Sequence, residues 1–169
     1  IMLKIGWASA DVSTNEPVGI VGQGHERISK GCVDPTTVTV LYLENGGDYV
    51  AFISGDFTSI DAPFLHDLKC SVEKKIPDFD GKKILFNATH THTAPRYQLS
   101  RGYDKAPKDR VEICPPEVYR NFLLEQLTDT ICCAYESAKP GAIAYGYGSA
   151  AVGLSRRVTY FTDKGINNT

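Results

Sequence analysis

Two histidines stand two residues apart in the stretch NATHTHTAPRY, residues 87–97. Side chains two apart on a β-strand point to the same face of the sheet. The apolar run ILF before the stretch indicates a strand, so His90 and His92 are predicted to project together from its end. Two neutral imidazoles held close together are suitable ligands for zinc or another borderline transition metal.

The surroundings of this pair favour a site, although the spacing alone is also found in other settings. The pair precedes Pro95 and a polar stretch, and loops at such places commonly hold binding and catalytic groups. Surface histidines and hydrogen-bonded core histidines stay open as alternatives. Thr89, Thr91 and Thr93 alternate with the histidines and are predicted to face the opposite side.

Charged residues at other strand ends are the next candidates. Asp56 closes the apolar run AFISG, so it is predicted to ligate a metal, to orient a ligating histidine, or to be a turn or helix-cap residue. For Asp11, in SADVS, a turn role is favoured. Arg156 and Arg157 provide guanidinium groups that bind a carboxylate or stabilise an oxyanion, and as strand neighbours only one of them is predicted to reach the site. A solvated charged strand is the alternative for this pair.

The other histidines and motifs give weaker evidence of a functional site. His66 is predicted to be an exposed helical residue, and no spacing argument connects His25 with the pair. The GQG at 22–24 lacks the strand before it and the helix after it that a phosphate-binding loop requires. The sequence contains no GxSxG, HExxH or P-loop pattern.

The elements that must position these residues alternate between strand and helix patterns. They are a strand at 2–8, a long loop at 13–35, a hairpin of 36–44 and 49–56, a helix at 61–75, a strand at 82–89, a polar excursion or lid at 98–114, a helix from the prolines at 115 and 116 to about Lys139, and two strands at 142–153 and 156–162. Because the hairpin requires an antiparallel pair, we predict an α/β layered domain with a mixed β-sheet and flanking helices. The buried stripe of the long helix is predicted to be Val118, Phe122, Leu127, Ile131 and Tyr135.

Composition limits the class of protein. With 169 residues, 42% of them hydrophobic and 22% charged, the chain is predicted to form a single soluble globular domain over 1–169. A net charge of -2 gives no field that would attract nucleic acid, and no apolar run is long enough for a transmembrane segment. The five cysteines are odd in number and lack CxxC spacing, which favours a cytoplasmic protein over a disulfide-bonded secreted one. A secreted protein whose signal peptide has been removed is the alternative.

Several stretches together resemble one known family. ILFNATHTHTAP resembles the signature strand of the neutral and alkaline ceramidases, an apolar run followed by ATHTHSGP. IGWASADVS resembles the family's opening GxGxADIT, VTVLYLENGGDYVAFISGDFTSI resembles its hairpin, and AVGLSRRVTY stands where the family has an asparagine and arginine pair. The resemblance implies that 1–169 is the amino-terminal portion of a larger ceramidase-like catalytic domain.

Carried over residue by residue, the resemblance implies a zinc-dependent amidase that cleaves the N-acyl bond of N-acylsphingosine or a related lipid amide. His90 matches the zinc ligand, His92 matches the histidine assigned to acid–base or oxyanion work, and Arg156 matches the arginine near the scissile amide. The other zinc ligands of the family, a histidine, a glutamate and a tyrosine, are expected after residue 169. Arg96 and Tyr97 stand where the family has glycines.

Two other functions stay open at this point. One is a non-catalytic scaffold or binding domain of the same fold, suggested by TAPRY and SRR in place of the family's residues. The other is a metal-dependent hydrolase with another substrate, such as a phosphate ester. The expected partner is a small-molecule or lipid amide substrate, and the sequence gives no indication of oligomeric state.

Overall fold

A computed structural model describes residues 2–99, 113–153 and 159–168. The elements in chain order are β1 Lys4–Asp11, β2 Gly19–Ile20, β3 Arg27–Ile28, β4 Thr37–Asn45, β5 Asp48–Gly55, α1 Ala62–Lys75, a 3-10 turn Gly81–Lys83, β6 Ile84–Ala88, α2 Pro116–Glu136, β7 Lys139–Pro140, β8 Thr159–Thr162 and β9 Gly165–Asn168.

The central element is a five-stranded mixed sheet of order β6-β5-β4-β1-β7. The pairs β1–β4, β4–β5 and β1–β7 are antiparallel, whereas β6 runs parallel to β5 after the chain crosses over through α1. The predicted hairpin is present, with Gly46 and Gly47 at φ 65° and 88° in a two-residue turn. The predicted fold class, a mixed sheet with flanking helices, is therefore confirmed.

Both helices pack on one face of this sheet and form the core with it. α1 buries Phe64, Leu68 and Val72, the spacing that the sequence indicates. They join the inward side chains of β4 and β5, among them Val40 and Ile53, in one cluster. Burying this cluster orders the ends of β5 and β6, where the candidate residues lie.

The predicted stripe of α2 is partly wrong. Leu127 and Ile131 are fully buried, but Val118, Phe122 and Tyr135 are exposed by 56%, 37% and 39%. The predicted set contains a step of five residues between Phe122 and Leu127, whereas the buried apolar residues of the helix follow steps of three or four. They are Tyr119, Leu123, Leu127, Ile131 and Ala134.

Other boundaries also differ from the predictions. β1 extends three residues beyond the predicted 2–8, since it pairs along its whole length with β4. The predicted loop at 13–35 contains the short β2–β3 hairpin. Residues 142–153 form no strand, because β7 ends the pairing with β1 at 140 and the following backbone finds no described strand to pair with. Of the predicted strand at 156–162, the described part pairs as β8 with β9.

Candidate metal site

The two histidines lie beyond the strand that was predicted to carry them. β6 ends at Ala88, and His90 adopts the left-handed conformation with φ 64°. Even so, the imidazoles meet: the Nε2 atoms of His90 and His92 are 3.3 Å apart and the rings are nearly perpendicular, at 73°. A turn, rather than the pleat of a strand, therefore brings the two rings together.

The segment after β5 fixes the backbone of this turn. The His90 N–H donates to the Phe57 carbonyl over 2.9 Å, and the Thr58 hydroxyl donates to the Thr91 carbonyl over 2.7 Å. Phe57 is itself buried in the core against Phe86. The turn that holds the histidines is thus anchored to the core of the sheet.

A backbone carbonyl decides the tautomer of His90. Nδ1 of His90 lies 2.6 Å from the carbonyl oxygen of Thr58. A carbonyl oxygen can only accept, so Nδ1 carries the proton and Nε2 of the neutral ring presents a lone pair. This is the arrangement by which metal-bound histidines are usually oriented.

The separation of the two nitrogens fits a zinc ion. Nitrogens that each lie about 2.0–2.1 Å from a tetrahedral zinc are about 3.3–3.4 Å from each other. The Nε2 atoms of His90 and His92 are 3.3 Å apart, and both rings are exposed to solvent. The same distance is compatible with a hydrogen bond in which Nε2–H of His92 donates to His90, so His92 can either bind a metal or hold a proton beside it.

Within the described residues, no cluster of three or more histidine, cysteine, aspartate or glutamate side chains is arranged to hold a metal. The two imidazoles would supply part of a coordination shell, since catalytic zinc sites commonly use three protein ligands. A third ligand of one of these four residue types is therefore expected from outside the described ranges 2–99, 113–153 and 159–168.

Asp56, which follows β5, is hydrogen-bonded both to the start of β4 and to the residue before His90. Its Oδ2 accepts from the N–H and the hydroxyl of Thr37 at 3.0 and 2.7 Å, and its Oδ1 accepts from the Thr89 hydroxyl at 3.1 Å. Burial acts to raise the pKa of Asp56, but these hydrogen bonds outweigh it and hold the pKa below its usual value. Among the described residues no imidazole donates to this carboxylate, so Asp56 supports the residue before His90 rather than His90 itself.

A cleft of about 430 Å³ adjoins the site on the side of the threonines. Thr91, Thr93 and Asp56 line it together with the loop at 31–36, and neither imidazole does. The expectation that the threonines face away from the histidines agrees with this arrangement. The imidazoles themselves lie on an open surface of the described chain.

The structure describes three of the five remaining candidate residues. Arg156 and Arg157 lie outside the described residues. Asp11 has the predicted turn role, since its Oδ1 accepts from the Ser13 N–H over 2.8 Å. Hydrogen bonding by the side chain of Ser13, and then by its backbone N–H, lowers the pKa of Asp11. His66 is exposed on α1 as predicted. His25 is exposed in the irregular segment between β2 and β3.

Tyr97 has a structural role that the sequence did not indicate. It is buried between the rings of Phe57 and Phe64, and its hydroxyl donates to the Ser59 carbonyl over 2.8 Å. Burial raises the pKa of Tyr97, so the phenol stays neutral. The predicted lid at 98–114 falls almost wholly on residues 100–112, which lie outside the described residues.

Besides Phe57, whose carbonyl accepts from the His90 N–H, sequence reasoning missed three residues that contact the histidines. Thr58 acts through its carbonyl, so its side-chain type gives no signal. Gly22 touches the ring of His92, and Arg27 donates to the carbonyl of His92. The only signal in the sequence is the GQG at 22–24, a motif whose context excludes a phosphate-binding loop.

The fold of this chain is similar to that of other proteins with solved structures. A crystal structure of neutral ceramidase from Pseudomonas aeruginosa matches with a TM-score of 0.68 and 19% identity, over 83% of this chain and 22% of that chain. A structure described as ceramidase complexed with C2 matches with a TM-score of 0.68 and 18% identity over the same shares. The chain therefore has a ceramidase-like fold and spans about a fifth of the ceramidase chains that it matches.

No protein-family model matches the sequence, and no curated protein sequence matches it either. Among the described residues, no helix is both long and apolar enough to span a membrane.

Proposed function

We propose that this chain contributes to a zinc-dependent amidohydrolase of the ceramidase-like kind, which cleaves an N-acyl amide bond in N-acylsphingosine or a related lipid amide. The observation that carries the proposal is the meeting of two Nε2 atoms at 3.3 Å, with one imidazole locked by the Thr58 carbonyl. The fold shared with neutral ceramidase supports the choice of reaction.

The positions of the ring protons suggest a different chemical role for each of the two histidines. His90 presents its Nε2 lone pair and would hold the zinc ion. Bound zinc would lower the pKa of a water molecule and polarise the amide carbonyl. His92 holds a proton at Nε2 and passes it to the leaving amine nitrogen. Arg156 adds positive charge near the scissile amide, as its match to the family's arginine suggests.

Metal uptake tests the first half of this proposal. Cobalt(II), whose absorption reports coordination, is titrated into the metal-free full-length natural protein, because the resemblance implies further ligands after residue 169. We expect about one ion per chain for the wild type, and loss of uptake for His90→Ala because the locked lone pair is gone. His66→Ala is the matched control, since it removes an exposed histidine on α1 and should leave uptake unchanged. Normal uptake by His90→Ala would refute the assignment of His90.

Turnover tests the second half and is measured on the full-length natural protein with an N-acyl amide of a long-chain amine. His92→Gln is expected to retain metal and to lose most of the hydrolysis, by about 10²–10⁴-fold if a general acid–base is removed. Metal uptake without amide hydrolysis in the wild type would favour a binding scaffold. Hydrolysis of a phosphate ester instead of the amide would favour the other hydrolase reading.

A further inference from the structure

We infer that the β2–β3 hairpin is a positioning element of the candidate site, in which Gly22 and Arg27 set the orientation of the His92 ring. The chemical meaning of this inference rests on the proposed function, but its geometry does not. His90 has its ring fixed by the Thr58 carbonyl, whereas the ring hydrogen bond recorded for His92 within the described residues is the one to His90. The orientation of His92 therefore depends on its backbone and on what its ring packs against.

The hairpin lies directly beside the segment that follows His92. The Arg96 N–H donates to the Gly19 carbonyl over 2.8 Å, and the Val21 N–H donates to the Ala94 carbonyl over 3.4 Å. Ile20 and Pro95 form an isolated antiparallel bridge between these two contacts. The hairpin therefore lies along residues 94–96, and its turn lies beside His92.

Gly22 forms the surface against which the ring of His92 rests. Its φ is +104°, a conformation that side chains with a Cβ rarely adopt. A Cβ at this position would lie 2.4 Å from Cγ and 2.6 Å from Cβ of His92. Any residue larger than glycine would therefore have to displace the imidazole.

Arg27 fastens the same turn to the backbone of His92. Its Nη2 donates to the carbonyl of His92 and also to the carbonyl of Val21, the latter over 2.9 Å. Because Val21 precedes Gly22, one guanidinium ties the glycine and the histidine together. A planar group with several donors can bridge two carbonyls in this way, which a lysine ammonium does less rigidly.

The test compares two glycines of the same segment by histidine NMR with ¹⁵N-labelled imidazoles. Gly22→Ala should shift the ring signals of His92 and weaken its contact with the ring of His90, while His90 keeps its Nδ1–H tautomer. Gly24→Ala is the control, since an added Cβ there would meet no atom within 4 Å. His92 signals in Gly22→Ala that equal those of the wild type would overturn the inference.

Amide hydrolysis by the full-length natural protein gives the functional measure. Because the proposed metal ligand is His90 and the proposed proton donor is His92, Gly22→Ala and Arg27→Ala should retain cobalt(II) and lose hydrolysis by up to about 10²-fold through misplacement of the His92 ring, with partial recovery in Arg27→Lys. If Gly22→Ala does not fold, the two arginine variants carry the test through the same His92 signals. If the wild type binds no cobalt, the proposed metal site fails while the NMR comparison still decides the positioning role. Unchanged hydrolysis and unchanged His92 signals in the Arg27 variants would overturn it.

Discussion

His90 shows how a single backbone atom can select the chemistry of a side chain. The Thr58 carbonyl accepts from Nδ1, so the reactive lone pair of His90 is on Nε2 and points at His92. The HxH spacing after the apolar run ILF predicts that the two rings project together, but from the end of a strand. The left-handed turn at His90 and the Thr58 contact arise from the fold of a distant segment, so no local pattern could have shown them.

Asp56 gives a prediction about acid stability. Because its pKa is lowered in the folded chain, the carboxylate stabilises the fold fully above its unfolded pKa, and this contribution is lost as the pH falls through the folded value. Asp56→Asn should therefore cost about 1.5–3 kcal/mol of unfolding free energy at pH 7, as expected for hydrogen bonds to a charged group. Urea unfolding of both proteins over a pH series measures this, and the difference should shrink at low pH.

The control for this experiment is Asp34→Asn, which changes an exposed carboxylate in the loop before β4. It should leave the unfolding free energy almost unchanged throughout the series. A gap between wild type and Asp56→Asn that stays constant down to the acid limit would contradict the account of Asp56.

At the level of elements, the sequence predicts the helices and strands whose apolar residues recur with a regular period. It does not predict which helix face is buried when close contact between elements decides this. The β4–β5 hairpin and α1 follow from alternation, a glycine turn and a step of three or four. The register of α2 was missed because apolar residues occupy two adjacent rows of that helix, and packing on the sheet selects one of them. Gly6 of β1 shows the contact that decides this, since a Cβ there would lie 1.7 Å from the Ala134 carbonyl oxygen of α2.

The register of α2 yields a stability prediction. Leu123 is fully buried on the inward row, so Leu123→Ala should lower the unfolding free energy by about 2–5 kcal/mol through lost burial and the cavity left behind. Val118→Ala, on the row that had been predicted from the sequence, should change it by no more than about 0.5 kcal/mol because that side chain is 56% exposed. Denaturant unfolding of both variants checks the pair. Equal losses would mean that the row containing Val118 is buried after all.

At the level of the whole molecule, the helices cover one face of the sheet, and the described residues leave an apolar row open on the other. Trp7, Leu41, Phe52 and Leu85 are neighbours in register across four strands on that face. Trp7 is 62% exposed, Phe52 40% and Leu85 48%. The match to neutral ceramidase covers 83% of this chain and 22% of that chain, and the functions of the larger protein are proposals for this chain.

The open face can be tested through Trp7, the single tryptophan of the sequence. In the 169-residue chain its fluorescence should resemble that of an indole in water and should be quenched freely by acrylamide, because more than half of the side chain is accessible. Unfolding in guanidinium should then shift its emission little. Emission shifted to shorter wavelength and protected from quenching would show that the face is covered in solution.

We propose that the imidazole of His90, held by the Thr58 carbonyl, and the facing ring of His92 form part of a metal site. Long-range ¹H–¹⁵N NMR of the four histidines, with and without zinc, is the decisive experiment. We expect an Nδ1–H tautomer for His90 in the zinc-free chain and zinc-induced shifts at the Nε2 atoms of His90 and His92, with His25 and His66 unchanged. An Nε2–H tautomer for His90, or zinc shifts confined to His25 and His66, would refute the proposal.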